Sequence, residues 1–553
     1  MKNKIEIDDT QALAIRLVRA PSVTNTSGES SFPDVLVSIL REQPIFSLHP
    51  ELIDDVPIEG DSKKRRIVLA FAPGKGSSCV VLTGHYDVVD TNSYGVLEPF
   101  AFDPEALSKR MLQMLSSKTA LSSAELLLKK DLESTSFIPG RGMLDMKSGL
   151  AAGISAMLRF FKKDERIGNI LFIAVPDEEG SSIGMKAAKK LLSDFANEHG
   201  LHYEAIINLD ASVDSGDGAE GKAVFLGSVS KLLPFAVFVG KPAHAGSPFD
   251  GFNPVIASAV FAREIECNSD SMNIKALLPG EEPPPPSILY YREMRNRYDV
   301  TMPADVFCAV NVLTFEKDPE KVFDHFKAIV QKALDSSISL IYERASAFSR
   351  KKNEHVMTYK FSSEIIEFHE LATRAERVVP GILNRLRIFA EKSFPEDKVQ
   401  QTFKIIHELL SYAQIEGPSA IVGFAPPFYA KAQLDSERDQ GFLSIIKDEV
   451  MCFNRDYGES IKLRPYFPGI SDMSFLAPSI DREAIEFVKK ESAVLEPDLD
   501  KYLEKSLNTP VINVGPWGRE YHQNGERVHR HYAFSLLPEL LSRLCDRLLH
   551  ADN

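Results

Sequence analysis

At 553 residues, with 44% apolar side chains and a formal net charge of −14, the chain is too long for one core and should divide into about two to four domains. The charge excludes a nucleic-acid surface, which needs clustered Lys and Arg, and the longest basic run, Lys63-Lys64-Arg65-Arg66, reads as a solvated turn. The opening MKNKIEIDDT lacks the apolar core of a signal peptide, and no run approaches the roughly 18 apolar residues of a membrane span, so a cytoplasmic protein without membrane contact is expected.

Residues 9–20 place Ala12, Leu13, Ile15, Leu17 and Val18 at helical spacing, and Pro21 ends the helix. Residues 80–83, 170–175 and 205–209 are apolar apart from Thr83 and Asn208, the pattern of strands buried on both faces. Between them, 102–136 reads as one or two helices in a peripheral insertion, and 147–161 as a helix with Leu150, Ile154, Met157, Leu158 and Phe161 on one side. From Lys231 onward, LLPFAVFVG reads as a strand and 254–266 as a helix. The run Glu281-Glu282-Pro283-Pro284-Pro285-Pro286 favours extended geometry and excludes a helix or central strand. Farther on, 441–457 is helical in pattern, 511–514 is a strand, and 533–549 is the closing helix. The fold class is therefore α/β. Residues 1–228 and 434–553 form a metal-binding domain with a mixed sheet, and 229–433 form an inserted α+β domain. Cys79, Cys267, Cys308, Cys452 and Cys545 contain no C-x-x-C pair and read as buried thiols.

Acid and imidazole side chains close several of these runs: His85 and Asp87 in VVLTGHYDVVD, Asp145 in GRGMLDMKSG, Glu178 and Glu179 in ILFIAVPDEEG, Asp210 in AIINLD, with His522 in EYHQNGERV. Polar groups just past strand ends are where an α/β sheet places its site. Imidazoles and carboxylates suit two divalent cations sharing a bridging carboxylate and a water whose pKa they lower. Asp145, on the loop entering a helix, is the natural bridge. His85 would bind, and Asp87 would support it directly or through neighbouring groups. Adjacent side chains at a strand end leave in different directions, so one of Glu178 and Glu179 can bind metal while the other moves a proton. Zinc suits this donor set, and manganese or cobalt is chemically acceptable.

The motifs TGHYDVV, GRGMLDMKSG, PDEEG, the later Asp210, KPAHAGSPFDGFNP and HQNGERV resemble, in order and spacing, those of the di-zinc metallopeptidases that include carboxypeptidase G, aminoacylase, peptidase T and succinyl-diaminopimelate desuccinylase. The length, the insertion and the enlarged middle domain resemble most the RocB arginine-utilisation branch. The resemblance implies His85 and Asp210 on one metal, Glu179 and His522 on the other, Asp145 bridging, and Glu178 as general acid/base. It also implies that His244, in the inserted lid and dimerisation domain, stabilises an oxyanion, often in the partner subunit of a homodimer. Only His522, unlike nearby His529 and His531, is followed four residues later by the family's Glu, here Glu526. Asp299, Asn311 and Ala425 stand where relatives carry residues that hold a substrate carboxylate. The expected function is hydrolysis of an amide or peptide bond in a small amino-acid derivative through a metal-bridged water. An N-acyl or amidino metabolite of arginine catabolism is the variant reading. The alternative is a metal-retaining regulatory or binding protein of amino-acid metabolism without turnover. Trp517, beside His522 in sequence, either lines the site or packs.

Overall fold

The computed structural model describes residues 7–214, 216, 218–272, 282–293, 295, 299–316, 318–352, 361–395, 397–435, 437–496, 499–502 and 507–550. The apolar runs form the parallel centre of an eight-stranded mixed sheet. Its order is Ile53–Pro57, Arg66–Ala72, Ile167–Val175, Lys75–His85, His202–Asn208, Val511–Asn513, Ala223–Phe225, Lys462–Arg464. Ile167–Val175, Lys75–His85, His202–Asn208 and Val511–Asn513 run parallel, with Val81 opposite Leu171 on one side and Ile206 on the other. Side chains alternate between the two faces. Val80, Leu82 and Phe172 pack with Leu150 and Ile154 of helix Ser148–Phe161 and Leu541 of helix Leu537–Leu549, while Val81, Leu171 and Ile206 meet Met185 and Leu192 of helix Ile183–His199.

The chain leaves this sheet after Phe225 and returns at Lys462. In between lies a second sheet in the order Ser287–Glu293, Asp305–Thr314, Pro234–Val239, Ser419–Phe424, Glu364–Glu367, with Ser230–Leu232 also paired to Asp305–Thr314. Helices Pro254–Ile265 and Pro319–Lys352 cover one face; Phe368–Val378 and Lys398–Ala413 cover the other, with Ile382–Ser393 packed beside them. Pro283 to Pro286 are irregular and lead into the edge strand Ser287–Glu293, where missing donors cost no ladder bond; Glu281 lies outside the described residues. Helix Arg482–Lys490, beyond residue 434, also rests on this unit, with Phe487 5.6 Å from Phe323 and 6.3 Å from Phe424.

Three sequence readings need correction. Cys79, Cys308 and Cys545 are buried, but Cys267 is exposed and Cys452 half-buried. The 102–136 segment forms helices Pro104–Ser117 and Ser123–Glu133, yet it is not merely peripheral, because Asp131 is buried and its carboxylate lies 2.9 Å from Arg527 Nε. The basic run is not a solvated turn throughout. Arg65 is buried, and its guanidinium lies 2.6 Å from Asp177 Oδ1, 2.9 Å from Asp61 Oδ2 and 3.4 Å from Glu29 Oε1. Three carboxylates outweigh the solvation that a turn would give. No helix among the described residues is long and apolar enough to cross a membrane.

Breaking a buried ion cluster strands the remaining charges, so Arg65→Met should cost about 3–5 kcal/mol in denaturant unfolding. A loss below about 1 kcal/mol would show that Asp61, Asp177 and Glu29 do not depend on it.

Candidate metal centre

The parallel strands carry their last residues to one edge, and there the side chains singled out from the sequence converge. His85 is buried at the end of Lys75–His85, and its Nδ1 lies 2.9 Å from the backbone oxygen of Asp87. That bond makes Nδ1 the proton-bearing nitrogen of the neutral ring and turns the Nε2 lone pair into the cleft. Nε2 lies 3.1 Å from Asp145 Oδ1 and 3.9 Å from both Glu178 Oε2 and Asp210 Oδ1. On the other side, His522 Nε2 lies 3.2 Å from Asp145 Oδ2 and 2.9 Å from Glu179 Oε1. Each oxygen of Asp145 thus faces a different imidazole.

The Asp87 carboxylate stands farther from the imidazole than its backbone oxygen does, with Oδ1 3.6 Å from His85 Nδ1. Its Oδ1 accepts from the Glu178 amide at 3.1 Å, its Oδ2 from the Glu179 amide at 3.2 Å, and Thr24 Oγ1 donates to Oδ2 at 3.0 Å. The carboxylate fixes the glutamate turn, and the backbone carbonyl fixes the imidazole. The same turn places Asp177 at φ +68°, with its Oδ2 accepting from the amides of Ser181 and Ile183 at 3.2 Å each. Such left-handed backbone in a non-glycine residue is held by its surroundings and is common at functional sites.

Distant segments position the remaining ligand candidates. Glu526 is buried and accepts from Arg141 and from the amides of Leu144 and Asp145, at 3.3 and 3.4 Å, holding the loop that carries Asp145. The amide of Asp210 donates to Asn513 Oδ1 at 3.0 Å, and Asn513 Nδ2 returns a bond to the Asp210 carbonyl at 2.9 Å.

Electrostatics follow from this crowding. Burial first, then Asp210 and Glu179, push the Glu178 carboxyl well above its ordinary value. Burial and Asp145 do the same to Asp210. Burial also raises Glu179, against the pull of His522. Burial opposes the charged form of Asp145 too, but His522 and His85 hold it below the usual carboxylate range. Burial disfavours charge on the imidazoles, yet Asp145 and its neighbours drive His85 well up and His522 to about 10. The cluster is short of positive charge. Two imidazole nitrogens and carboxylates at these separations fit a pair of divalent cations with Asp145 between them.

The cleft holds about 230 Å³, and beyond the acid cluster it is lined by Lys231, Tyr429, Phe467, Ile470 and Tyr521. Residues 129–493 match the family model "Peptidase family M20/M25/M40". The chain belongs to that family. Its members hydrolyse peptide or amide bonds with metal ions, and the chain is a hydrolase of this class. YqjN of Bacillus subtilis is 29% identical over 550 residues, spanning 98% of this chain and 96% of its own. RocB of the same organism is 27% identical over 561 residues, 98% and 95% of the two chains, in agreement with the branch read from the motifs. A Staphylococcus aureus tripeptidase has the same fold, with a TM-score of 0.53 at 14% identity over 99% of each chain.

Not every candidate joins the cleft. His244 is exposed on the inserted unit, bridged to Thr301, and does not line it. Asp299 accepts from the Thr301 amide at 2.7 Å and pairs with Arg295 at 3.0 Å; Ala425 is buried, and Asn311 sits within strand Asp305–Thr314. Trp517 packs, 5.7 Å from Phe137. Another acid-imidazole trio, Glu367, His369 and Glu491, has Lys327 2.7 Å and Lys490 3.2 Å from its carboxylates, so it is an ion-pair cluster. Sequence reasoning missed Asp472, whose carboxyl burial pushes up to about 7, and also Lys231 and Tyr429. None of these carries a local pattern; only the lone acid in FPGISDMSF hinted at Asp472.

The segment leading to His522 touches Asp210 closely. A Cβ on Gly515 would lie 1.9 Å from the Asp210 carbonyl oxygen, a backbone atom that cannot swing aside. Gly515→Ala should therefore lower stability by about 1–3 kcal/mol or more, read from the denaturation midpoint. Wild-type stability would show that this approach is not rigid.

Proposed function

We propose that the chain cleaves an amide or peptide bond in a small amino-acid derivative at a two-metal centre, with zinc as the ion. The observation that carries this reading is the splayed Asp145 carboxylate, each oxygen facing its own imidazole, with Asp210 near His85 and Glu179 on His522. His85 and Asp210 would hold one ion, Glu179 and His522 the other, and Asp145 both. The ions supply Lewis acidity, polarising a carbonyl and lowering the pKa of water.

The remaining steps belong to side chains. Glu178, its carboxyl raised by burial and by Asp210, suits a group that takes a proton from the attacking water and returns it to the departing nitrogen. Asp87 keeps that carboxylate in place through the glutamate amides and acts by positioning. His244 Nδ1 accepts from the Gly246 amide at 3.0 Å, which leaves Nε2–H as a donor facing outward. We assign it to the oxyanion of the partner subunit's site in a homodimer formed through the inserted unit. The reading without turnover would require Glu178 to be idle, and its 3.9 Å approach to His85 counts against that.

The two glutamates separate by experiment. Glu178→Gln should keep both metals and lose roughly a hundred- to ten-thousand-fold in turnover of N-acyl amino acids or dipeptides, while Glu179→Gln should lose metal from one position. Asp145→Ala should lower both. Two full equivalents of metal in folded Asp145→Ala protein, by elemental analysis, would refute the bridge.

His244→Ala should leave metal content intact and slow turnover by about a hundred- to a thousand-fold. Mixing it with Glu178→Gln subunits should restore part of the activity, because a mixed dimer holds one site with both groups native. Confirmed mixed dimers without recovery would exclude action across subunits.

A further inference from the structure

Away from the metal centre, residues of helices Ile7–Val18, Pro44–Leu48 and Ser148–Phe161 enclose a cavity of about 460 Å³, against about 230 Å³ in the cleft, and the two share no lining residue. Leu158, in its wall, lies ten residues beyond Ser148, about 15 Å farther along the helix axis from the loop that carries Asp145. Leu13, Ile45, Leu158 and Phe161 are half-buried: each packs on the main core and also lines the cavity. The walls are fixed. Thr10 and Ser155 pair through their hydroxyls at 2.8 Å, Phe46 stands edge-on to Phe161 with ring centres 5.5 Å apart, and Arg16 grips Glu42 through two bonds of 2.7 Å. A pre-formed pocket of this size with mostly apolar walls suits a small ligand.

Its charge is one-sided. No carboxylate lines it, whereas Arg16 and Lys162 do. Glu42 answers Arg16, but among the described residues no carboxylate reaches ion-pair distance of the exposed Lys162. The cavity also meets the C-terminal end of helix Ser148–Phe161, which would repel an anion if its last carbonyls were open. They are capped. The amides of Lys162 and Lys163 donate to the carbonyls of Arg159 and Phe160 at 3.1 and 3.2 Å, and Arg166 Nη1 donates to that of Phe161 at 3.4 Å. A carboxylate at the mouth would thus meet an ammonium without a counter-ion, and a chain behind it would take four half-buried apolar side chains out of water.

We infer that this cavity is a second binding site, for a carboxylate that carries a medium-length apolar chain, with the head on Lys162 and the chain against Leu13, Ile45, Leu158 and Phe161. It is separate from the cleft and does not depend on the reaction carried out there.

The test is calorimetric binding to metal-loaded, full-length protein of octanoate, octanol, octyltrimethylammonium and acetate. Octanoate should bind, octanol and octyltrimethylammonium at least about tenfold more weakly, and acetate not measurably at the same concentrations. Lys162→Met should weaken octanoate by about tenfold and leave octanol unchanged, while Lys162→Arg keeps the native affinity. Ala12→Phe fills the cavity from an exposed helical position and should abolish octanoate binding without moving the unfolding midpoint. Octanoate that fails to bind, or whose binding ignores both Lys162→Met and Ala12→Phe as coordination to metal in the cleft would, overturns the site. Binding lost with Ala12→Phe but unchanged by Lys162→Met, or octanol as tight as octanoate, overturns the carboxylate assignment.

Discussion

Four carboxylates, Asp145, Glu178, Glu179 and Asp210, meet two imidazoles at one edge of a sheet, and charges of one sign so close together, sheltered from water, repel. The surroundings answer that repulsion with fixed dipoles and distant cations rather than with lysines inside the cluster. Asp87 accepts two backbone amides, Glu526 two more, and Arg65 and Arg141 neutralise the acids one step behind. What these contacts leave unbalanced is visible in the raised carboxyls and in an imidazole pushed to about 10. A fold that tolerates such a deficit is prepared for added positive charge, which is why the donor set supports a pair of cations better than a single structural ion pair.

Closure of the site depends on the chain's return. Asp210 follows an early strand, yet its backbone is held by Asn513, and the loop carrying Asp145 is held by Glu526. His522 itself has φ +63°, and the preceding Glu520 has φ +57°. Two left-handed non-glycine residues so close together persist only where neighbours over-determine them. Arg527 does so for Glu520, at 2.7 Å, and Glu179 and Asp145 do so for His522.

The parts of this arrangement that follow from local periodicity were legible in the chain. Mostly apolar runs gave the central strands, and the acids just past them gave the ligand candidates, because a parallel sheet buried on both faces leaves its polar work to strand ends. Boundaries slipped where caps, not periodicity, decide: the first helix spans Ile7–Val18 rather than 9–20, since Pro21 lies past the true end. The helices Phe368–Val378, Ile382–Ser393 and Lys398–Ala413 went unassigned, and so did Pro319–Lys352. Partners of Arg65 and of Asp87 were out of reach for a different reason. Both residues sit in unremarkable local sequence, and their meaning comes from groups as far as 112 residues away. The position of Lys231 against Tyr429 likewise depends on a pairing between remote segments.

The 102–136 insertion shows how an added segment becomes indispensable to a site it never touches. Its helices are capped by Asp103 and by the Ser122–Glu125 box, and Leu107, Met111 and Leu132 pack with Tyr94 and Leu97 in a small core of their own. Asp131 then reaches out of that core to Arg527 at 2.9 Å and Arg519 at 3.4 Å, two buried guanidiniums in the strands on either side of Tyr521 and His522. Removing the segment would leave both cations without their shared carboxylate in a region closed to water, a penalty that Glu520, already committed to Arg527, cannot absorb alone. The hairpin would have to open to solvate them. His522 rides on that hairpin, so the geometry of the metal centre is tied to a segment whose composition of Leu, Ser and Lys gives no sign of it.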